Sequence, residues 1–138
     1  MAEPRDGSVV FERHHYPIVI LRMPTNGSVA SIHLWYDEVE SLLRKATTKI
    51  ALVHDLRPVE LLSVTALHRA AVAERTLALR DSGLGARLGA DARIVSNAIV
   101  AGAVSVVTWL TGATPWPQGT FSSEHEAVEW CRAQLAVR

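Results

Sequence analysis

Residues with chemistry to offer gather at one point in this chain, His54-Asp55-Leu56-Arg57, directly after the uninterrupted apolar run Ile50 to Val53. A carboxylate and a guanidinium two residues apart can hold a polar ligand between them, with an imidazole nearby. Asn97, at the end of a later apolar stretch, would add an amide to the same edge. The plainer alternative is that Asp55 accepts backbone N–H groups in the turn that Pro58 enforces, with His54 simply packed. Under either reading these residues lie beyond the carboxyl end of a buried strand, where open α/β sheets take their ligands.

Other groupings carry less. Ser63, His68 and Asp55 are the residue types of a hydrolytic triad, but no Gly-x-Ser-x-Gly elbow presents the serine. A cryptic hydrolase therefore ranks third among the functions considered. Gly83 to Gly89 is glycine-rich, yet it follows a helix and leads into a strand, the reverse of a phosphate-cradling loop. It reads as a flexible connector. His125-Glu126-x-x-Glu129 lacks the second histidine of a zinc helix, and His14 and His15 on one strand would face opposite ways. No metal site and no cofactor are expected. Cys131 is the only cysteine, so an internal disulfide is impossible, and it reads as a small core residue with nothing beside it to activate the thiol.

Composition narrows the class. With 14 basic and 14 acidic residues and no basic stripe, the chain has no electrostatic footprint for nucleic acid. An apolar fraction of 49% supplies a real core, and 138 residues suit one domain, here 9–138 behind a short tail 1–8. The stretch from Met1 to Gly7 has no apolar segment of the kind a signal peptide needs, which makes a cytoplasmic location the expectation. Ile94 to Ala113 is uncharged and about long enough to cross a bilayer. Ser96, Asn97, Ser105, Thr108 and Thr111 interrupt it, so a buried strand followed by a helix is the better reading, and no membrane span is expected.

The elements that must position these residues follow from periodicity. Val9 to Arg13 and Ile18 to Met23 read as an antiparallel pair. Ser28 can cap a helix to about Ala46, whose apolar stripe runs through Ile32, Tyr36, Val39 and Leu43, with Glu40 and Arg44 paired on its wet side. After the strand Ile50 to Val53, an alanine-rich helix spans Val64 to Ser82 and stops at Gly83. Ala92 to Ser96 reads as a strand, Ala98 to Leu110 as a helix capped by Asn97, Gly119 to Phe121 as a short strand, and a final helix starts at Ser122 or Ser123. The pattern implies an α/β fold, a single mixed sheet of four or five strands led by an antiparallel hairpin, with about four covering helices. Trp109 and Trp116 stand in the uncharged segment. They either form a sticky surface for a partner or second copy, or complete the core.

Leu52-Val53-His54-Asp55-Leu56-Arg57 and the ending Phe121-Ser122-Ser123-Glu124-His125-Glu126-Ala127-Val128-Glu129-Trp130 resemble the STAS superfamily. The likeness is greatest to a loosely characterised bacterial branch similar to anti-sigma-factor antagonists, and more distant to lipid-binding CRAL-TRIO domains. The resemblance implies a small cytoplasmic domain that binds partners without catalysis. In phosphorylated members a Ser or Thr, usually after an Asp, opens the helix behind the central strand. Ser63 and Val64 stand at that place here, with Thr65 next, so phosphorylation is not expected and Ser63 and Thr65 are the residues to watch. The first expectation is thus a non-enzymatic regulatory or scaffolding domain acting on an unknown protein partner, with a homodimer through Trp109 or Trp116 as one form of it. The alternative is a binder of a small apolar ligand or lipid, held between the sheet and the alanine-rich helices. Asp55, Arg57, His54, Asn97 and Thr65 complete the candidate binding residues.

Overall fold

The computed structural model describes residues 7–96, 101, 102, 104–106, 108, 112 and 114–137. Five strands, β1 (Val10–Glu12), β2 (Ile18–Arg22), β3 (Ile50–Asp55), β4 (Leu88–Ile94) and β5 (Gln118–Phe121), form one sheet in sequential order. β1 runs antiparallel to β2, and every other neighbouring pair is parallel. Helices α1 (Val29–Lys45), α2 (Ala66–Ser82) and α3 (Glu124–Ala136) are joined by helical backbone at residues 101, 102, 104–106 and 108, a fourth helical segment. The expected α/β architecture, led by its antiparallel pair, is the one observed.

Sequential strand order decides which face each helix covers. Right-handed crossovers that always step the same way deposit their helices on one side of the sheet. There α1 and α2 pack on Val19, Leu21, Ile50 and Leu52 through Ile32, Tyr36, Val39, Leu43 and Leu79. α3 follows the last strand and makes no crossover, so it turns under the opposite face. Its Ala127, Val128 and Cys131 meet Ile20, Ala51, Val53, Ala90 and Ala92 there. All six residues of β3 are buried, as a central strand covered on both faces requires. Cys131 is fully buried, and burial pushes its thiol up to about 12, which keeps it an inert core residue.

Local chemistry sets the helix ends. Ser28 Oγ accepts from Ser31 N at 3.0 Å and Ser123 Oγ from Glu126 N at 3.2 Å, each satisfying a free amide of a first turn. Gly83 closes α2 in the left-handed region at φ 84°, where a side chain would strain. α1 and α2 are clamped by Arg75, whose Nη2 donates to Asp37 at 2.7 Å and to Glu40 at 2.8 Å. Glu40 therefore serves a neighbouring helix through Arg75, where the sequence suggested a pair with Arg44.

Three boundaries depart from expectation. α2 begins at Ala66 with Thr65 as its cap, so Val64 lies outside the helix. The Thr65 hydroxyl accepts from His68 N and the His68 side chain accepts from Thr65 N, a closed box that outcompetes an earlier start. β4 begins at Leu88, four residues before the expected Ala92, because the glycine-rich stretch is no flexible connector. Leu84–Arg87 forms a 3-10 turn, and Gly89 enters the strand itself. The expected helix from Ala98 to Leu110 lies partly outside the described residues.

Candidate functional site

Neighbours along β3 point to opposite faces, and this splits the cluster that the sequence presents as one. Asp55 faces α3. Its Oδ1 accepts from Arg57 N at 3.1 Å and Arg57 Nε at 2.9 Å, and its Oδ2 from Arg57 Nη2 at 3.0 Å and Arg22 Nη1 at 2.9 Å. Arg22 also reaches Glu12 and Glu124 at 2.6 Å each. Burial pushes the Asp55 carboxyl up, but Arg57 and Arg22 outweigh it and hold the group below the usual carboxylate range. For Arg22, burial works against the charge, and Glu12, Glu124 and Asp55 overcome it to raise its pKa. Asp55 thus does accept its turn amide, and Arg57 spends its guanidinium on the same carboxylate.

His54 faces α1 and α2. A register shift between Ile50 and Ala51 against β4 inserts Gly89 as an extra residue. After it, Ala90, Ala92 and Ile94 face α3. Asp91 and Arg93 face α1 and α2, beside Leu52 and His54. His54 Nδ1 stands 2.9 Å from Asp91 Oδ1, close enough to attract but out of line for a hydrogen bond. Asp91 Oδ2 is 3.6 Å from Arg93 Nη2, and Arg93 Nη1 reaches Gln118 Oε1 only at 3.4 Å. Burial again pushes the Asp91 carboxyl up, while the neighbouring His54 and Arg93 bring it below its ordinary value. Trp35 meets the His54 ring edge-on at 5.2 Å, and its Nε1 is buried with no partner among the described residues.

These residues form the polar end of a cavity of about 180 Å³ between α1, α2 and the carboxyl edge of β3 and β4. An engineered apolar cavity of ~150 Å³ holds benzene, so this one admits a somewhat larger molecule. Ile32, Leu56, Val59 and Val72 make apolar walls, and Val104 from the fourth helical segment adds to them. The Tyr36 hydroxyl pairs with Thr76 Oγ1 at 2.9 Å, and burial pushes its pKa to about 12. At the rim, His68 Nε2 meets Gly27 O at 2.7 Å while Nδ1 meets Thr65 Oγ1 at 2.7 Å and accepts from Thr65 N at 3.2 Å. A carbonyl partner needs a donor, so the bond pattern assigns the proton to Nε2. His68 therefore ties the start of α2 to the turn before α1.

The other sequence candidates separate. Ser63 Oγ donates to Glu60 O at 2.7 Å, His68 is taken by Thr65 and Gly27, and Asp55 lies across the sheet, so the three triad types are not assembled. Thr65 caps α2 beside the rim. Trp116 is 3% exposed, its ring set against Gly85, where even a Cβ would come within 2.3 Å. It completes the core and offers no sticky surface, which removes it from any dimer contact. Asn97 and Trp109 lie outside the described residues. Sequence reasoning missed Asp91, Arg93 and Trp35. The alternation of Ala90, Ala92 and Ile94 with Asp91 and Arg93 is the period-two signal that could have found the first two. Among the described residues no three His, Cys, Asp or Glu side chains gather as a metal would need, and no helix is long and apolar enough to cross a membrane.

Two crossover helices on one face of a sequentially ordered mixed sheet and a C-terminal helix on the other, with a cavity at the carboxyl edge, define the class of fold. A solved structure shares it: an uncharacterised protein of the DUF3478 family from Shewanella loihica PV-4, described as having a SpoIIAA-like fold. The similarity has a TM-score of 0.65 at 16% identity and covers 95% of this chain and 98% of that one. The chain thus has a SpoIIAA-like α/β fold. No protein family profile matches the sequence, and no curated protein does.

Proposed function

We propose that this chain is a non-catalytic binding protein that takes a small, largely apolar molecule into the cavity between α1, α2 and the sheet. The observation that carries this reading is the cavity itself, about 180 Å³ with mostly apolar walls and a polar inner end. Small-molecule sites have this composition, hydrophobic walls with a few placed polar groups. The dispersal of Ser63, His68 and Asp55 supports the absence of hydrolytic work. Calorimetry and thermal melting with octanol test the proposal. Octanol is expected to bind and to raise the melting temperature, and Val59→Trp, which fills a wall, to remove both effects. A parent protein that binds no alcohol, carboxylate or amine of five to ten carbons defeats it.

A second reading, regulation or scaffolding through protein contacts, has its own support. Leu62 and Leu67 are 97% and 73% exposed, flanking the rim residues Ser63, Val64 and His68. Exposed leucines beside a ligand mouth suit a partner that senses whether the cavity is filled. Under this reading a protein, or a second copy of the chain, co-purifies at fixed stoichiometry and is lost in Leu62→Glu with Leu67→Glu. Light scattering that finds a monomer, together with no captured protein, removes it. A cytoplasmic location and unphosphorylated Ser63 and Thr65 belong to the same proposal, since the Thr65 hydroxyl is already spent as a helix cap. Intact mass of the protein from its native host tests the latter, and stoichiometric phosphate would refute it.

A further inference from the structure

Among the described residues the charged groups lining the cavity are Arg69, Arg93 and Asp91, a net charge of plus one with His54 and His68 counted neutral. Both arginines are poorly served. Among the described residues, Arg93 holds only contacts of 3.4 and 3.6 Å, and Arg69 donates to Val64 O at 3.5 Å. Elsewhere the guanidinium groups of Arg22, Arg57 and Arg75 make charge-assisted bonds of 2.6 to 3.0 Å to carboxylates. A guanidinium has five N–H donors, and one that is 15% exposed cannot give them all to water. Trp35 Nε1 is a further donor, buried in a residue that lines the cavity and without a partner among the described residues. Among the described residues, Asp91 Oδ1 is an acceptor in the site that also lacks a hydrogen bond, though His54 Nδ1 stands 2.9 Å from it. The cavity thus holds more unfilled donors than unfilled acceptors and carries surplus positive charge.

We infer that the molecule taken here is a monocarboxylate on a compact apolar body, of medium-chain or aryl-alkyl type, seated with its carboxylate toward Arg93. The inference rests on the binding reading above and goes further by naming the head group. A carboxylate is acceptor-only and pairs with a guanidinium through two parallel bonds, which an alcohol cannot match and an amine opposes. The apolar walls of Ile32, Val59 and Val72 take the body, and the volume limits it to little more than a benzene-sized group with a short chain. Arg69, nearer the rim on α2, adds charge that favours entry of an anion.

Titration calorimetry with octanoate, octanol and octylammonium at neutral pH tests it. Octanoate is expected to bind roughly tenfold or more tighter than octanol, as a charge-assisted bond in a dry site implies, with octylammonium weakest. Arg93→Met, checked by its melting curve, should erase the preference while octanol still binds. Arg69→Gln, which leaves the Asp91 contacts intact, should lower octanoate affinity and spare octanol. If octanol equals or exceeds octanoate in the parent protein, the carboxylate inference is wrong and the apolar binding reading stands. If none of the three binds, both fall. If Arg93→Met and Arg69→Gln each keep the full octanoate preference, the anion is recognised elsewhere and the inference is overturned.

Discussion

His54 and Asp55 are adjacent in the chain and belong to two different worlds. On the α3 face, Glu12, Arg22, Asp55, Arg57 and Glu124 form a network in which Asp55 alone accepts four hydrogen bonds of 2.9 to 3.1 Å. On the α1 and α2 face, His54, Asp91 and Arg93 stand near one another with contacts that are misaligned or 3.4 Å and longer. Both groups are charged, and both sit at the ends of central strands. Only one has bonding capacity left over. A dense ion cluster whose members satisfy each other is part of the scaffold, whereas a sparse one beside a cavity is able to recognise something.

The contrast is open to attack by substitution. The largest effect is expected from Asp55→Ala, which strips Arg57 of its acceptor and leaves part-buried Arg22 short of one. The loss should be ~3 kcal/mol in urea unfolding, near the lower end for breaking a buried ion pair. A variant that unfolds like the parent would mean the network is surface decoration, and the contrast would collapse. Acid is the second probe. The carboxyls of Asp55 and Asp91 are both held below their ordinary values, so each contributes stability that is present above the unfolded value of ~3.9 and is lost as the pH falls through the lower folded value. Unfolding free energies between about pH 5 and about pH 2 should therefore fall with acid, and Asp55→Asn should flatten the curve. A curve of unchanged steepness in that variant would place the acid-labile groups elsewhere.

Smaller effects sharpen the other side. Asp91→Asn should cost only ~1 kcal/mol, because its contacts are loose and removing a buried charge recovers desolvation. A cost equal to that of Asp55→Ala would show the cavity cluster to be structural as well. Trp35→Phe removes an N–H that has no partner and keeps the ring against His54. Stability should change by less than ~1 kcal/mol, or rise, since no bond is lost. A large loss would reveal a partner for Trp35 Nε1 and weaken the case for free donors.

Much of the scaffold was legible in the chain. Ile50 to Val53 announces a doubly covered strand because polar residues are missing from both of its faces. The helix caps Ser28 and Gly83 are local chemistry, set by a side chain three residues from its amide or by a residue free to adopt positive φ. The misreadings have one common source, competition by contacts the chain does not advertise. Glycine-rich sequence suggests a connector from 83 to 89, but Trp116 packs on Gly85 and a bulge admits Gly89 to β4. Trp116 could be core or surface on sequence grounds, and only its position against Leu79, Leu88 and Gly85 decides for the core.

By itself, then, the sequence determined the order of elements, the central strand and the place where chemistry would gather, because periodicity, capping and turn formation act over a few residues. Tertiary structure alone decided which of those residues meet. The partition of His54 from Asp55 follows from strand pleat, and the meeting of His54 with Asp91 follows from a parallel register between strands more than thirty residues apart. The same holds for the unfilled donors of Arg93 and Trp35. Whether a polar group has a partner is a property of three-dimensional neighbourhood, and no local pattern encodes it.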